Sequence, residues 1–339
     1  MSSVRIVASL PIMVNLSATG AAANSSLVVV EELLANVHRW CCGWVVLHLN
    51  ALSDTSVAEL AARLRSRGLG ARARARVVFN PQQLLMRSPS IASPSSLMDI
   101  LLSNYYAATS ELGRGAFSHV VQITSNERYV RPGAAEHVLR FDAGLSAIPR
   151  FGCKMTPDGL PRRIGGSCRP HGITAAQCAN DPLARLLATG LRLPVNANDS
   201  RRMPVPCYYG QADGAFLSIH LLERLCALLD VYDPIEGSTA PWRRDPPHRR
   251  WIQRMWPPAE IYLPTFIMNA VPVYKHATRL TRAVTYMNWR YKSARRGVKL
   301  VIRPDDVRRV HRGDYPGRYA VKRVDPTDYS LRSLVRSLV

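Results

Sequence analysis

Apolar and polar positions follow two different patterns along the first 143 residues, and the two patterns alternate. Short, nearly continuous apolar runs predict strands buried on both faces, whereas apolar residues spaced three and four apart predict amphipathic helices. The predicted strands are Val4–Val14, Val45–Leu49, Arg76–Phe79 and His119–Thr124, and the predicted helices begin at Asn24 or cover Val57–Leu64 and Ser96–Leu112. Strands that alternate with helices indicate an α/β domain with a doubly wound, mostly parallel twisted sheet flanked by helices.

The periodicity fades between residues 144 and 206, where proline, glycine, arginine and cysteine become frequent. This segment is predicted to be a long irregular insertion with at most one helix, near Ala175–Gly190. After it, the pattern predicts a strand or turn and then a helix in Tyr208–Asp230, a helix in Glu260–Asn269, mixed elements in Thr278–Lys292, a strand in Tyr319–Val324 and a helix in Tyr329–Val339. We therefore expect one domain over residues 1–339, with an α/β half at 1–143, the insertion at 144–206 and a second half at 207–339.

The chain carries 45 Lys and Arg against 24 Asp and Glu, which gives a formal net charge of +21. Such a field attracts polyanions, which include nucleic acids, anionic membranes and nucleotide-linked substrates. Most of the positive charge is arginine, whose guanidinium fork binds phosphate oxygens in pairs, and this bias favours phosphate chemistry. A GC-rich genome is the alternative source of an arginine excess. Apolar residues make up 47% of the chain, which is enough for a sizeable core.

Seven cysteines occur without any Cys-x-x-Cys pair, so the spacing of a zinc finger or ribbon is absent. Four of them, Cys153, Cys168, Cys178 and Cys207, fall in or beside the insertion, where disulfides would form in an oxidising compartment. No apolar run reaches about 18 residues, which predicts that the chain has no transmembrane segment. The chain is therefore expected in the cytoplasm, or in the Golgi or ER lumen if it is a fragment of an anchored enzyme.

Candidate ligand-binding residues stand where predicted strands end. Ligands of doubly wound sheets bind beyond the carboxyl ends of the strands. Val14 and Asn15 lie at the end of the first strand, and Ser125 and Asn126 follow the fourth. Asparagine and serine at such positions either bind the hydroxyl groups of a ligand or cap the next element.

Two further candidates lie in the second half of the chain. Asp213-Gly214 form a turn before a helix predicted over Leu217–Leu229, and the glycine either allows a close backbone approach or serves the turn alone. Lys322-Arg323 form a basic pair on the short strand predicted at Tyr319–Val324. This pair is either part of a solvated sheet edge or a binding site for a diphosphate.

Glu260 stands between Pro257-Pro258 and an apolar run, at the first turn of a predicted helix. A carboxylate at that position either stabilises the helix through its macrodipole or acts as a general base. The chain contains no Asp-x-Asp pair that could hold Mn²⁺ or Mg²⁺, and it contains no P-loop or Rossmann phosphate motif. A sugar-transferring enzyme with this sequence would need cationic side chains to neutralise the leaving diphosphate.

Taken in order, these segments resemble the core-2/I-branching type of glycosyltransferase. The resemblance rests on Ser125-Asn126 followed by Arg131-Pro132-Gly133, on Asp213-Gly214-Ala215-Phe216, on Glu260 before Leu263-Pro264-Thr265, and on Ala320-Val321-Lys322-Arg323-Val324. It covers roughly residues 119–339, whereas the first 115 residues match only in their order of strands and helices. Enzymes of this family have a GT-A-like fold, invert the configuration of the transferred sugar and lack the Asp-x-Asp metal motif.

The resemblance implies a role for each candidate residue. Glu260 would be the catalytic base, Lys322, Arg323 and Arg290 would bind the donor diphosphate, and Ser125, Asn126, Asp213 and Gly214 would contact the donor or the acceptor. Val14 and Asn15 would contact the nucleotide, so that 1–143 is the nucleotide-binding half and 207–339 the half that binds acceptor and diphosphate. Two motifs depart from the family: Ala259 replaces the first of two acids at the base, and Asn126-Glu127 replace Gly-x-Asp.

The sequence thus predicts an inverting, metal-independent glycosyltransferase that transfers a hexosyl or pentosyl group and needs no cofactor. The expected partners are a nucleotide-sugar donor, UDP-linked by preference, and a glycan or glycoconjugate acceptor. One alternative is a basic nucleic-acid-binding module without catalysis, indicated by the net charge and by arginines that alternate with Trp242 and Trp251. Another is a glycosyltransferase-like protein that is inactive because an expected acid is missing.

Overall fold

The computed structural model describes residues 6–12, 21–49, 62, 66, 76–81, 97–145, 154–155, 161–162, 213–232, 263–264, 266–267, 279–287, 302–322, 324 and 328–338. Most residues of the two helices predicted at Val57–Leu64 and Glu260–Asn269 lie outside these ranges, and so does the whole helix predicted near Ala175–Gly190. The described residues of the first two are helical, namely Ala62, Leu263, Pro264, Phe266 and Ile267.

Strands and helices alternate through the first part of the chain. In chain order the elements are β1 (Ile6–Ile12), α1 (Ala21–Trp40), β2 (Trp44–Leu49), β3 (Val77–Phe79), α2 (Leu97–Leu112), β4 (His119–Gln122), β5 (Glu127–Tyr129), α3 (Ala134–Arg140), β6 (Ala143–Leu145), β7 (Lys154–Met155), β8 (Pro161–Arg162), β9 (Phe216–Ser218), α4 (Ile219–Tyr232), β10 (Leu280–Arg282), β11 (Thr285–Tyr286), α5 (Pro304–Arg312), β12 (Ala320–Lys322) and α6 (Tyr329–Leu338).

Within the described residues, seven strands form one large sheet in the order β10-β6-β9-β4-β1-β2-β3. β1 pairs in parallel with β2 and β4, β2 pairs in parallel with β3, and β6 pairs in parallel with β10. β9 runs antiparallel to both of its neighbours, β4 and β6. The protein is therefore mixed α/β with a mostly parallel sheet flanked by helices, which confirms the fold class predicted from the strand and helix pattern.

Both faces of the large sheet are covered, which explains why β1 is apolar at nearly every position. Successive residues of a strand point to opposite faces. Ile6, Ala8 and Leu10 belong to a core that also contains residues of α1 and α3. Val7 belongs to a second core, formed with residues of α2 and α4.

A small sheet with the order β11-β12-β5 lies beside the large one, and β12 is its central strand. β12 pairs in parallel with β11 and antiparallel with β5. Asn36 of α1 binds the backbone of β5 in both directions: its Nδ2 donates to the Tyr129 carbonyl at 2.8 Å, and the Tyr129 N–H donates to Asn36 Oδ1 at 2.7 Å. On the face opposite to Tyr129, Val130 and Val321 pack with α5 and α6 in a third core.

The structure departs from the sequence prediction in β6, β9 and α5. Ala143–Leu145 form β6, although the irregular segment was expected from residue 144; three residues are too few to give a periodic signal. Phe216–Ser218 form β9, so the helix begins at Ile219 and not at Leu217. α5 has no predicted counterpart, because it buries Asp306, Val307 and Val310 alone and its other positions are polar.

Candidate functional site

The carboxyl ends of β1 and β4 lie side by side at the centre of the large sheet. β2 and β3 extend the sheet on one side of β1, whereas β4 lies on its other side, so the strand order reverses between β1 and β4. Open α/β sheets bind ligands at such a reversal, beyond the carboxyl ends of the strands. Because β9 runs antiparallel to β4, the residues that precede β9, Asp213-Gly214-Ala215, lie at this same edge.

Backbone hydrogen bonds connect this edge to the small sheet. The Gly214 N–H donates to the Gln122 carbonyl at 2.9 Å, and the Val284 N–H donates to the Gly214 carbonyl at 3.1 Å. The Tyr319 N–H donates in turn to the Val284 carbonyl at 2.7 Å. These bonds hold β12, which begins one residue after Tyr319, beside the end of β4.

Lys322, Asp213 and Glu127 form an acid-base cluster at this junction. Lys322 lies directly opposite Glu127 in the antiparallel pairing of β12 with β5, so the two side chains project from the same face of the small sheet. The Lys322 ammonium forms an ion pair with Asp213 Oδ2, and the two side chains are only 12% and 4% exposed. The interpretation of Lys322 as part of a solvated sheet edge is therefore wrong, because β12 is a central strand and its lysine faces a buried carboxylate.

Glu127 is buried in this cluster and accepts a hydrogen bond from the Thr124 N–H at Oε2, at 2.8 Å. The pKa of Glu127 is raised to about 8, first by burial and then by the nearby Asp213 carboxylate. Three neighbours lower the pKa and so oppose this increase. They are, from the largest effect to the smallest, the Lys322 ammonium, the Thr124 N–H and the Thr285 hydroxyl. The pKa places the proton equilibrium of Glu127 near neutral pH, where a carboxyl group can donate or accept a proton.

Several polar side-chain atoms of the cluster, and those of Gln122 at the end of β4, have no hydrogen-bond partner among the described residues. They are Oε1 and Nε2 of Gln122, Oε1 of Glu127 and Oδ1 of Asp213. Counted over the whole residue, Gln122, Glu127 and Asp213 are 1%, 1% and 3% exposed, respectively. A buried polar group left unpaired costs about 1–3 kcal/mol, so such groups are normally paired with protein, water or ligand. The cluster thus offers hydrogen-bonding capacity to a polar ligand.

Gly214 allows two backbone segments to approach each other beneath this cluster. Its φ of +64° lies in the left-handed region, and a Cβ at this position would overlap the Thr285 side chain. Thr285 is 2% exposed, so it has no open space into which to move. The glycine therefore serves a close approach within the protein as well as the turn.

The Ser125-Asn126 turn is tied to its surroundings by its own backbone and side chains. The Thr124 hydroxyl donates to Asn126 Oδ1 at 3.0 Å, and the Val324 N–H donates to the Asn126 carbonyl at 3.0 Å. Arg128 Nη1 donates to the Ser125 carbonyl at 2.9 Å. These bonds place the turn between β4 and β12, next to Glu127.

Arg318 adds a half-buried cation next to the cluster. Its Nη1 donates to the carbonyls of Ala283 at 2.7 Å and Thr285 at 2.5 Å. The pKa of Arg318 is lowered to about 10, first by burial and then by the positive charge of the nearby Arg282. The guanidinium still carries its charge at neutral pH, and it lies beside the Thr285 backbone that Gly214 approaches.

The structure brings together the predicted site residues from three separate segments, namely Ser125, Asn126, Asp213, Gly214 and Lys322. Val14, Asn15, Glu260, Arg290 and Arg323 lie outside the described residues. So do Trp242 and Trp251, which indicated nucleic-acid binding.

The sequence prediction of the site omits Gln122, Glu127, Thr285 and Arg318. Glu127 has a sequence signal, because it directly follows Ser125-Asn126 at the end of a predicted strand. The other three depend on pairings between distant segments, and no local pattern of residues indicates those pairings.

The described part of the chain contains neither a metal site nor a membrane-spanning helix. There, no three His, Cys, Asp or Glu side chains converge as a metal site would require. No helix within those same ranges is both long and apolar enough to span a bilayer. A scan against models of known protein families and a search of curated proteins give no match to the chain.

Proposed function

We propose that the chain is an inverting, GT-A-like glycosyltransferase that moves a hexosyl or pentosyl group from a nucleotide sugar to an acceptor hydroxyl. The donor is UDP-linked, and the acceptor is a glycan or glycoconjugate. The observation that carries the proposal is the buried cluster of Lys322, Asp213 and Glu127 at the carboxyl edge of the sheet. It supplies a fixed cation and unpaired polar atoms where an α/β sheet binds its ligand.

The convergence of distant segments supports the same proposal. The resemblance assigns Ser125-Asn126, Asp213-Gly214 and Lys322 to one site, and these segments meet at the end of β4. A mostly parallel sheet with the strand order reversed between β1 and β4 is also the architecture in which a nucleotide binds at the strand ends.

The proposed reaction is a direct displacement at the anomeric carbon of the donor sugar. The acceptor oxygen forms a bond to that carbon while its proton passes to the Glu260 carboxylate. The bond between the anomeric carbon and the phosphate oxygen breaks, and the nucleoside diphosphate leaves with the electron pair. Negative charge therefore develops on the diphosphate, and Lys322, Arg323 and Arg290 neutralise it without a metal ion.

Lys322 can serve the diphosphate without leaving Asp213. An ammonium group carries three N–H donors, and the ion pair with Asp213 Oδ2 uses one of them. Asp213 thus orients Lys322 and lowers the entropy that the side chain loses when it binds a phosphate oxygen.

Glu127 stands beside the proposed diphosphate site as a largely neutral acid. Because its pKa is raised to about 8, the carboxyl group is mostly protonated at neutral pH. A protonated carboxyl group donates a hydrogen bond and does not repel an anion, whereas an ionised one would oppose diphosphate binding. This explains how two buried acids can line a site for a negatively charged donor.

Nucleotide binding tests the proposal most directly. A ligand that binds only the folded state raises the melting temperature, so UDP, GDP and CMP sugars are compared with uridine in a thermal-shift titration. The variant Lys322→Met/Asp213→Asn removes both charges of the pair, and Arg308→Gln removes an exposed cation on α5 as a control. We expect UDP-sugar to stabilise the wild type and the control, and the double variant to lose affinity for UDP but not for uridine.

Equal losses for UDP and uridine in the double variant would assign Lys322 to structure alone. The absence of any saturable shift with the three nucleotide sugars would overturn the proposed donor class. Transfer activity is then followed after exhaustive chelation. Activity that vanishes in EDTA and returns with Mn²⁺ would contradict the metal-independent mechanism.

A further inference from the structure

A cavity of about 320 Å³ lies between α1, β5 and α6, away from the acid-base cluster. Its polar lining consists of Arg39, Arg128, Arg332, Arg336, Glu32 and Asn36. The proposed glycosyltransferase reaction uses none of these residues. We refer to this space as the arginine cavity.

The arginine cavity lies on the opposite face of the small sheet from Glu127. Arg128 follows Glu127 in β5, and consecutive side chains of a strand project to opposite faces. Val130 and Val321, which share the face of Arg128, pack with α5 and α6, whereas Tyr129 packs with the core of the large sheet. A ligand in the cavity is therefore separated from the acid-base cluster by the strand itself.

The charges that line the cavity do not balance. Four guanidinium groups face the space with a single carboxylate, that of Glu32. Arg332 Nη2 binds both carboxylate oxygens of Glu32 at 2.7 Å, and Arg336 binds Glu32 Oε1. This one carboxylate is thus already shared by two arginines of α6. Arg39 and Arg128 form no ion pair with any acid in the described ranges.

Arg128 is the most constrained of these cations. It is 4% exposed, and its Nη1 donates to the carbonyls of Ser125 and Glu127 at 2.9 and 2.7 Å. Arg332, at 7% exposure, is almost as deeply buried. Arg332 is paired with Glu32, whereas Arg128 has no ion pair among the described residues. Burying a cation without an ion-pair partner is costly, so an anion beside Arg128 would stabilise the folded chain.

The size and the chemistry of the cavity restrict the anion. Ligand pockets range from about 300 to 1,000 Å³, so this one is suited to a small ligand or a head group. Guanidinium forks match the oxygens of phosphate in bidentate geometry. Asn36 is bound to both backbone groups of Tyr129, which leaves the arginines as the main donors to a ligand.

We propose that the arginine cavity binds a phosphate group of a small phosphorylated ligand, as a second site separate from that of sugar transfer. The phosphate oxygens take the place of the missing carboxylates opposite Arg39 and Arg128, and they accept from the N–H groups of Arg336 that Glu32 does not use. Because Arg128 also holds the carbonyls of Ser125 and Glu127, the occupied cavity reinforces the turn that carries the proposed donor contacts.

Inorganic pyrophosphate is the probe for the phosphate group. Its binding is measured by isothermal titration calorimetry on the wild type and on Arg39→Gln and Arg336→Gln. Arg39 and Arg336 are exposed enough for their replacement to leave the fold intact. Arg308→Gln, on the exposed face of α5, is the matched control for the loss of one positive charge.

We expect saturable binding by the wild type and by Arg308→Gln, and a loss of affinity of about tenfold or more in Arg39→Gln and in Arg336→Gln. Lys322→Met/Asp213→Asn should keep this binding, because its substitutions lie on the other face of the small sheet. Absence of saturable binding, or equal affinity in Arg39→Gln, Arg336→Gln and Arg308→Gln, overturns the proposal. Loss of binding in Lys322→Met/Asp213→Asn with retention in Arg39→Gln overturns it too, since pyrophosphate would then occupy the donor site.

The source of the phosphate is resolved by sedimentation with phosphatidylcholine vesicles that do or do not contain phosphatidic acid. If the wild type sediments with the phosphatidic acid vesicles and Arg39→Gln and Arg336→Gln do not, the result supports the site and assigns a lipid head group to it. Binding of pyrophosphate without sedimentation supports the site with a soluble ligand.

Discussion

The Lys322 ammonium forms an ion pair with the Asp213 carboxylate and so joins the small sheet to the edge of the large one. The two residues come from segments far apart in the chain, and both side chains are almost excluded from water. The attraction between the two charges offsets the loss of their hydration, since a buried charge without a partner costs several kcal/mol. Removal of one partner should therefore lower the stability of the folded chain more than removal of both.

Lys322→Met alone should destabilise the folded chain by about 3–5 kcal/mol, because it leaves Asp213 buried without a counter-charge. Lys322→Met/Asp213→Asn should be much less destabilised than Lys322→Met, since both charges are gone. Denaturant unfolding of the wild type, both single variants and the double variant gives the coupling energy. Additive effects of the two single substitutions would show that the ion pair carries no coupling.

Glu127→Gln should change how stability depends on pH. The folded chain holds the Glu127 proton up to a pKa of about 8, whereas the unfolded chain releases it near the ordinary value of 4.5. The folded state thus binds more protons between these values, so the free energy of unfolding falls as pH rises from about 4.5 to 8. The substitution removes this fall, which should amount to a few kcal/mol at most.

The measurement is the difference in the free energy of unfolding between Glu127→Gln and wild type at several pH values. The difference cancels the contributions of other titrating groups, including His119 and His137, whose pKa values are lowered by burial. We expect the variant to gain stability relative to wild type as pH rises. Parallel pH profiles for the two proteins would show that Glu127 titrates normally.

The strands β1 to β4 of the large sheet could be predicted from the sequence because they are short, mostly apolar runs. β1 and β4 are buried on both faces, and each stands beside an amphipathic helix. β6 and β11 have only three and two residues, and they are strands because they pair with neighbouring strands. A segment of that length has no period, so its structure depends on pairing partners that the sequence does not identify.

Gly214→Ala should be more harmful than an alanine at another glycine with positive φ. Gly113 has a φ of +92° and no heavy atom within 4 Å of a Cβ, so Gly113→Ala costs only the left-handed backbone, about 1–2 kcal/mol. At Gly214, with a φ of +64°, the Cβ would also overlap Thr285, which adds about 1–3 kcal/mol of overpacking. Chemical denaturation of both variants measures the difference, and equal losses would contradict the close approach to Thr285.

The candidate site was predictable only where its residues follow a strand or form a turn. Ser125, Asn126 and Gly214 stand at such positions, and glycine at a turn has a local physical reason. The partner of Lys322 could not be predicted, because the ion pair depends on the β12–β5 register and on the hydrogen bonds that carry Gly214 to Val284. The raised pKa of Glu127 follows from the same packing and so has no signal in the sequence.

The carboxyl groups of Glu260 and Glu127 should respond differently to replacement by glutamine. Glu260→Gln should lower the rate of transfer by about 10²- to 10⁴-fold, the usual effect of losing a general base, while UDP affinity is unchanged. Glu127→Gln should keep transfer within about tenfold of wild type, because glutamine, like a protonated carboxyl group, is neutral and donates hydrogen bonds. Both rates are measured at saturating donor with UDP affinity determined in parallel. A near-normal rate for Glu260→Gln together with a large loss for Glu127→Gln would transfer the role of base to Glu127, which has the pKa for it and lies beside Lys322.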